Sequence, residues 1–201
     1  MKTSSRIDEI IHAATERLRA VSDSPRLDAE LILAMALEVE RSYLFGHPED
    51  ELDAAARMRV DTLLERRLGG EPLAYITGQK EFWSLPLMVT PDTLVPRPET
   101  ELLVQLALDH LPRGRHARVL DLGTGSGAIA LAIAKERPDC YVLATDISAA
   151  AVAIARQNAR QLDLGNVEFI VSDWASSVDG GNFDLVVSNP PYAVSYTHLT
   201  L

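Results

Sequence analysis

The sequence predicts an α/β protein: a parallel sheet with helices on both faces, preceded by an N-terminal helical bundle and a short β-hairpin connector. Three observations predict it. Strand-like and helix-like segments alternate from about residue 98 to residue 192. The strands are short, rich in β-branched residues and apolar on both sides, which marks a sheet covered on both faces. A glycine-rich turn joins the first of these strands to the helix after it.

The N-terminal helices come first. Ile7, Ile10, Ile11, Ala14 and Leu18 recur at helical spacing. Ser24-Pro25 reads as a serine cap with proline at the first helical position. Leu27, Leu31, Ala34 and Met35 then share one face, which is expected to turn to the core. A third helix is predicted from about Glu49 to Leu68, with Gly69-Gly70 as its left-handed stop. Residues 1–70 carry no catalytic constellation and read as a small helical bundle, the kind of unit that serves as a docking or lid element when attached to an enzyme. Residues 71–97 read as a connector. Glu81–Ser84 and Leu87–Thr90 are its strands, around a turn at Leu85-Pro86, and Pro91, Pro96 and Pro98 stiffen the chain beyond them. From residue 98 onward the strands are Arg118–Asp121, Tyr141–Ala144, Val167–Val171 and Phe183–Val187. Helices are expected at Ala128–Lys135 and from a Ser148 cap to about Leu162.

Composition narrows the function. The 201 residues hold 47 % hydrophobic and 24 % charged side chains, enough apolar surface to build a core and exclude global disorder. The formal charge is −10, with 11 basic and 15 acidic groups in residues 1–80 and 8 and 14 in the rest. That balance argues against sequence-independent nucleic-acid binding, which runs on cation–phosphate contacts. Cys140 is the single cysteine, so no disulfide framework exists and a reducing compartment is expected. No apolar stretch follows Met1–Arg6 as a signal peptide would require, and no run is long enough to span a membrane. A cytoplasmic protein is predicted.

In a parallel α/β sheet, ligands sit at the carboxyl ends of the strands. Four strand ends carry polar or conformationally special residues. After the first comes Asp121-Leu122-Gly123-Thr124-Gly125-Ser126-Gly127. Alternate glycines let the backbone turn sharply and approach a ligand, and the next helix offers free N–H groups there. A tight turn without a ligand, or a dinucleotide fingerprint with Ala128 in its last place, fits the same residues. After the second strand comes Asp146, 19 residues beyond Gly127. A carboxylate there accepts both hydroxyls of a ribose, which points to a nucleoside cofactor without saying which. It would equally favour the dipole of the next helix. After the third come Asp173 and Trp174, able to bind an adenine amine and cover its ring; Trp174 could instead be core packing.

After the fourth strand comes Asn189-Pro190-Pro191-Tyr192, a rigid non-helical loop. An amide or ring NH2 is a poor nucleophile because its lone pair is delocalised. The Asn189 side-chain oxygen and the Pro190 carbonyl can each accept one of its N–H bonds. Acceptors out of the amine plane draw the nitrogen toward tetrahedral geometry and aim its lone pair at a methyl donor. Tyr192 can stack on the planar substrate. This is positioning and electrostatics without a covalent intermediate. The sequence offers no metal-ligand spacing and no Ser/His/Asp set; His12, His47, His110, His116 and His198 lie scattered.

The run Asp121–Leu131, then Asp146, then Asn189–Tyr192 resembles S-adenosyl-L-methionine-dependent amino-methyltransferases of the Rossmann-like class. Gly70-Glu71-Pro72-Leu73-Ala74-Tyr75-Ile76-Thr77-Gly78, Phe82-Trp83 and Leu94-Val95-Pro96-Arg97-Pro98-Glu99-Thr100-Glu101 narrow the likeness. With these blocks, residues 1–193 resemble the protein-(glutamine-N5) methyltransferases of peptide chain release factors, the PrmC/HemK family. The resemblance implies methyl transfer from S-adenosyl-L-methionine to the glutamine of the release-factor Gly-Gly-Gln motif, in translation termination. It implies that residues 1–70 dock the release factor. It also implies that Gly123, Thr124, Gly125, Ser126 and Gly127 cradle the cofactor, Asp146 holds the ribose, and Asp173 and Trp174 flank the adenine. Asn189, also next to the cofactor, would bind the substrate amide with Pro190, Pro191 and Tyr192.

The end of the chain departs from that family. Residues 98–194 would form a truncated methyltransferase domain with an incomplete sheet, and Ser195–Leu201 are expected to be a non-native tail. Two other functions stay open at this point: N6-adenine methylation of DNA, which the same Asn-Pro-Pro-Tyr loop could serve, and binding of the cofactor or release factor without turnover. A nicotinamide-dependent dehydrogenase would rest on the glycine loop alone and would give Asn189–Tyr192 no role.

Overall fold

Residues 6–190 are described by a computed structural model, in which the chain divides into two units, Met1–Gly78 and Gln79–Leu201. The division falls eight residues after the boundary expected at residue 70. The reason is a short helix, α5 (Leu73–Thr77), whose buried Ala74 and Ile76 and packed Leu73 fold with the helices before it.

The first unit is helical. Helix α1 (Ile7–Leu18) buries the predicted Ile7, Ile10, Ala14 and Leu18. Helix α2 (Pro25–Leu37) starts at the predicted proline, but the Ser24 side chain makes no capping hydrogen bond. The predicted face packs only in part: Ala34 is buried in the core. Ala29, Ile32, Leu33 and Ala36 enter the core, whereas Leu27 and Met35 stay exposed. Both sides of α2 are apolar, so spacing alone could not choose between them. Two carboxylates settle the orientation. Glu30 is only 2 % exposed and is held by Arg26 at 2.9 Å and Arg41 at 2.7 Å. Asp28 is held by Arg67 at 2.8 Å. A short helix not expected from the sequence, α3 (Arg41–Gly46), comes first, and the helix expected from about Glu49 to Leu68 starts five residues later, as α4 (Ala54–Leu68). The latter is capped by the Asp53 side chain, which accepts from the Ala56 N–H at 2.7 Å.

The second unit opens with an antiparallel hairpin, β1 (Gln79–Phe82) and β2 (Leu85–Met88). Its turn is Trp83-Ser84, not Leu85-Pro86. Both turn residues have positive φ, +52° and +57°, the requirement of a two-residue turn whose twist matches the strands. Glu101 accepts from the Trp83 N–H at 2.9 Å and holds the turn in place. Phe82, Leu85 and Leu87 join the main core, so the connector is part of the α/β unit.

A 3-10 turn (Pro98–Thr100) leads into α6 (Glu101–His110), which no sequence pattern singled out. Then come β3 (Arg118–Leu122), α7 (Ala128–Glu136), β4 (Tyr141–Asp146), α8 (Ala149–Gln161), β5 (Val167–Val171) and β6 (Leu185–Ser188). The four strands form one parallel sheet in the order β5-β4-β3-β6. The inner strands β3 and β4 bury consecutive residues, Val119-Leu120-Asp121 and Val142-Leu143-Ala144-Thr145, so both faces are covered there. The outer strands are less covered, with Val171 and Val186 about half exposed.

Candidate functional site

In-register parallel strands bring the four strand ends together. Leu122 pairs with Thr145 on one side and Ser188 on the other, and Asp146 pairs with Val171. The residue after each strand therefore borders one cavity of about 330 Å3, within the range of about 300–1,000 Å3 typical of small-molecule sites. It is lined by Gly123–Ser126, Asp146, Ile147, Ser172–Trp174, Asn189 and Pro190. Its other wall is Asp92–Arg97 with Thr100.

The glycine loop is shaped by the strand it leaves and the helix it enters. The N–H groups of Gly123 and Thr124 both donate to the Thr145 carbonyl at 2.9 Å, anchoring the loop to β4. All three glycines have positive φ. At Gly127 a Cβ would lie 3.0 Å from Leu131 Cδ1 and 3.2 Å from Ala155 Cβ, so glycine is what lets α7 and α8 pack this closely. At Gly125 a Cβ would meet no atom within 4 Å, because that side of the loop faces open space.

Asp146 has two tasks. Its Oδ2 accepts from the Gly125 N–H at 2.8 Å and its Oδ1 from the Ser148 N–H at 2.9 Å. It ties the glycine loop to the start of α8, and each oxygen keeps lone-pair capacity for a further donor. Ser148 caps α8 as predicted, accepting from the Ala151 N–H. Trp174 is 55 % exposed with φ +52°, so it is not core packing; its ring borders the cavity. Ile147 and Leu94, 72 % and 52 % exposed, add apolar surface beside it. Asn189 Nδ2 donates to Thr100 Oγ1 at 3.0 Å. Pro191 and Tyr192 lie outside the described residues, as does the tail Ser195–Leu201.

Beneath the loop, Asp121 is fully buried. Its Oδ2 accepts from the Thr124 hydroxyl at 2.7 Å, while Oδ1 has no partner among the described residues. Burial pushes the Asp121 carboxyl up to about 6, against the pull of the Thr124 hydroxyl and the Ala130 amide.

Several lining residues were given no site role from the sequence: Thr93 and Ile147, which no motif included, and Leu94, Pro96 and Thr100, which stood in the Leu94–Glu101 block without a role. The Pro-Arg-Pro-Glu-Thr block was the available signal for that wall. Thr100 meets Asn189 across 89 positions, which no local pattern reports.

The cavity fits a nucleoside-bearing cation. Asp92, Asp146 and Asp173 face it against one guanidinium, Arg97, and the exposed Leu94, Ile147 and Trp174 offer apolar surface for a flat base. Gly123 and Gly125 leave room for a ligand against bare backbone.

A parallel sheet with this loop and these strand ends is a Rossmann-like α/β methyltransferase fold, and the family described as "Methyltransferase small domain" matches residues 99–199. "PrmC N-terminal domain" matches residues 9–78. The relative from Coxiella burnetii, named "Release factor glutamine methyltransferase", is 48 % identical over 186 residues, covering 92 % of this chain and 67 % of its own. Relatives of the same name from Salmonella typhimurium and Escherichia coli are 51 % and 48 % identical, each covering 90 % of this chain and 65 % of its own length. The chain belongs to the release factor glutamine methyltransferase family. It spans about two thirds of the length of these relatives, and the adenine alternative finds no support among them. Among the described residues no helix is long and apolar enough to cross a membrane.

Proposed function

We propose that this protein transfers a methyl group from S-adenosyl-L-methionine to the side-chain nitrogen, N5, of the glutamine in the Gly-Gly-Gln motif of bacterial peptide chain release factors. The observation that carries the reading is the place of Asn189. It follows β6, borders the same cavity as the glycine loop, and has its amide nitrogen engaged by Thr100. That bond fixes the amide plane and leaves Oδ1 as the group able to accept from a substrate N–H.

The cofactor supplies an electrophilic methyl on a sulfonium. Gly123–Gly127 would hold its amino-acid part against the backbone, Asp146 the ribose hydroxyls, and Asp173 and Trp174 the adenine. Asn189 Oδ1 and the Pro190 carbonyl would each accept one N–H of the glutamine amide and orient its lone pair. Pro191 would stiffen that loop and Tyr192 stack on the substrate. Stabilising the developing ammonium-like nitrogen in this way lowers the barrier without a covalent intermediate. In this reading the helical unit docks the release factor, and the reaction takes place in the cytoplasm.

The test is methyl transfer from labelled S-adenosyl-L-methionine to a purified release factor, beside the same factor with its Gly-Gly-Gln glutamine changed to alanine. Label on the first alone supports both reaction and target atom. Cofactor binding with no label on either would favour a binding role without turnover.

A further inference from the structure

Asn158 sits in α8, is fully buried and does not line the cavity. Its side chain bonds in three directions. Oδ1 accepts from the Met88 N–H at 2.8 Å, and Nδ2 donates to the Met88 carbonyl at 3.0 Å. Nδ2 also donates to the Ser126 carbonyl at 2.9 Å. Only a carboxamide offers an acceptor and two donors in one plane. Asn158 thus bonds Met88 as a neighbouring strand would, and reaches the glycine loop with its second hydrogen.

The two groups it joins lead to opposite walls of the cavity. Met88 ends β2, and Asp92–Arg97, a few residues on, form the far wall. Ser126 belongs to the loop opposite. The other loop bonds, from Gly123 and Thr124 to Thr145 and from Gly125 to Asp146, tie its first half to β4. Asn158 holds the second half, and holds it to the hairpin rather than to the sheet.

We propose that Asn158 is a positioning residue for the cofactor site: it sets the separation between the glycine loop and the Asp92–Arg97 wall without touching the ligand. The inference rests on the cofactor reading above. Losing the amide would let the two walls drift, and cofactor affinity would fall although every lining residue is intact.

The test compares the wild-type chain with Asn158→Asp and Asn158→Ala by calorimetric titration with S-adenosylhomocysteine. Asp is isosteric and keeps the acceptor for Met88 N–H, but sets an oxygen against the Ser126 and Met88 carbonyls. The expected result is unchanged stoichiometry with a Kd raised at least about tenfold in both variants. A merely structural role would lower the melting temperature and the binding-competent fraction and leave Kd alone; that result overturns the proposal. A measurement on the wild type covers variants that fail to fold. Hydrogen exchange at the Met88 amide is expected to slow at least about threefold when S-adenosylhomocysteine is bound, although Met88 lines no part of the cavity. Unchanged exchange overturns the coupling. A wild-type chain with no affinity for S-adenosylhomocysteine overturns the cofactor reading itself, which separates that failure from this one.

Discussion

A carboxyl group is buried in each half of the molecule, and the two are treated in opposite ways. In the helical unit Glu30 is 2 % exposed and receives hydrogen bonds from Arg26 and Arg41. Burial alone would raise its pKa, but the two guanidinium groups outweigh that and hold it below the ordinary value. In the α/β unit Asp121 is fully buried, helped only by the Thr124 hydroxyl and the Ala130 amide, with Oδ1 unpartnered among the described residues and a pKa pushed up to about 6. Paired buried charge serves packing. A carboxyl left half satisfied beneath the glycine loop of the candidate site is the kind of perturbed group that gathers where a fold serves a site. The lesson is that polar satisfaction, more than burial, separates a carboxyl that supports packing from one that lies under the candidate site.

If that division is right, substitutions at the site should change function more than stability. The largest effect is expected for Asn189→Ala. Methyl transfer at saturating cofactor should fall roughly 10^2- to 10^3-fold, the cost of deleting one transition-state hydrogen-bonding group. Cofactor Kd should stay within about threefold of wild type. Steady-state kinetics beside calorimetry measure both, and equal loss of the two would move Asn189 into the cofactor site. Next comes Asp146→Ala, where the order reverses. Cofactor Kd should rise roughly 10- to 100-fold, because a ribose partner and the Gly125 tether are lost together.

Asp121→Asn probes the contrast directly. A carboxyl whose folded pKa lies above its unfolded value binds more protons when folded. It therefore lowers stability as pH rises from 3.8 to about 6 and by a constant amount above that. Neutral asparagine removes this slope and should stabilise the chain at pH 7 by up to about 3 kcal/mol. Chemical denaturation at several pH values reads it. A slope that survives in the variant would belong to another group.

The same contrast shows what could be read in the sequence. Strand ends were legible: the glycine loop, Asp146 and the Asp173-Trp174 pair all border one cavity, because parallel strands in register must bring their ends together. The stripe of α1 was legible because one face is clearly apolar. The orientation of α2 was not. Asp28 and Glu30 look like surface residues until Arg67 and Arg41, 39 and 11 positions away, arrive to pair them. The hairpin turn was hidden for a different reason: Trp83 and Ser84 hold left-handed backbone without glycine, while Pro86 imitated a turn signal. Thr100 stood in the Pro-Arg-Pro-Glu-Thr block, but its bond to Asn189, 89 positions away, was not readable from that block, and Asn158, whose partner Met88 is 70 positions away, belonged to no motif.

The smallest expected effects sharpen the other side of the comparison. Arg41 approaches Glu30 Oε2 through both Nε, at 2.8 Å, and a terminal nitrogen, at 2.7 Å, and its guanidinium lies 5.3 Å from the Phe45 ring centre. Arg26 gives a single contact to Oε1 and is 74 % exposed. Arg41→Ala takes both nitrogens away from Oε2 and should cost about 1 kcal/mol at pH 7. Arg26→Ala, removing an exposed pair one helical turn apart, should cost less than about 0.5 kcal/mol. Glu30 has the opposite sign to Asp121. Its folded pKa is depressed, so its contribution is present above the unfolded value of 4.5 and is lost as pH falls through the lowered one. The Arg41→Ala deficit should therefore shrink in acid, while the gain from Asp121→Asn also fades there because wild-type Asp121 becomes neutral. Denaturation of the two variants at pH 7 and near pH 3 would show both differences closing from opposite sides. Cofactor affinity should stay at the wild-type level in both arginine variants, and a loss there would mean that the helical unit's buried charge reaches the site after all.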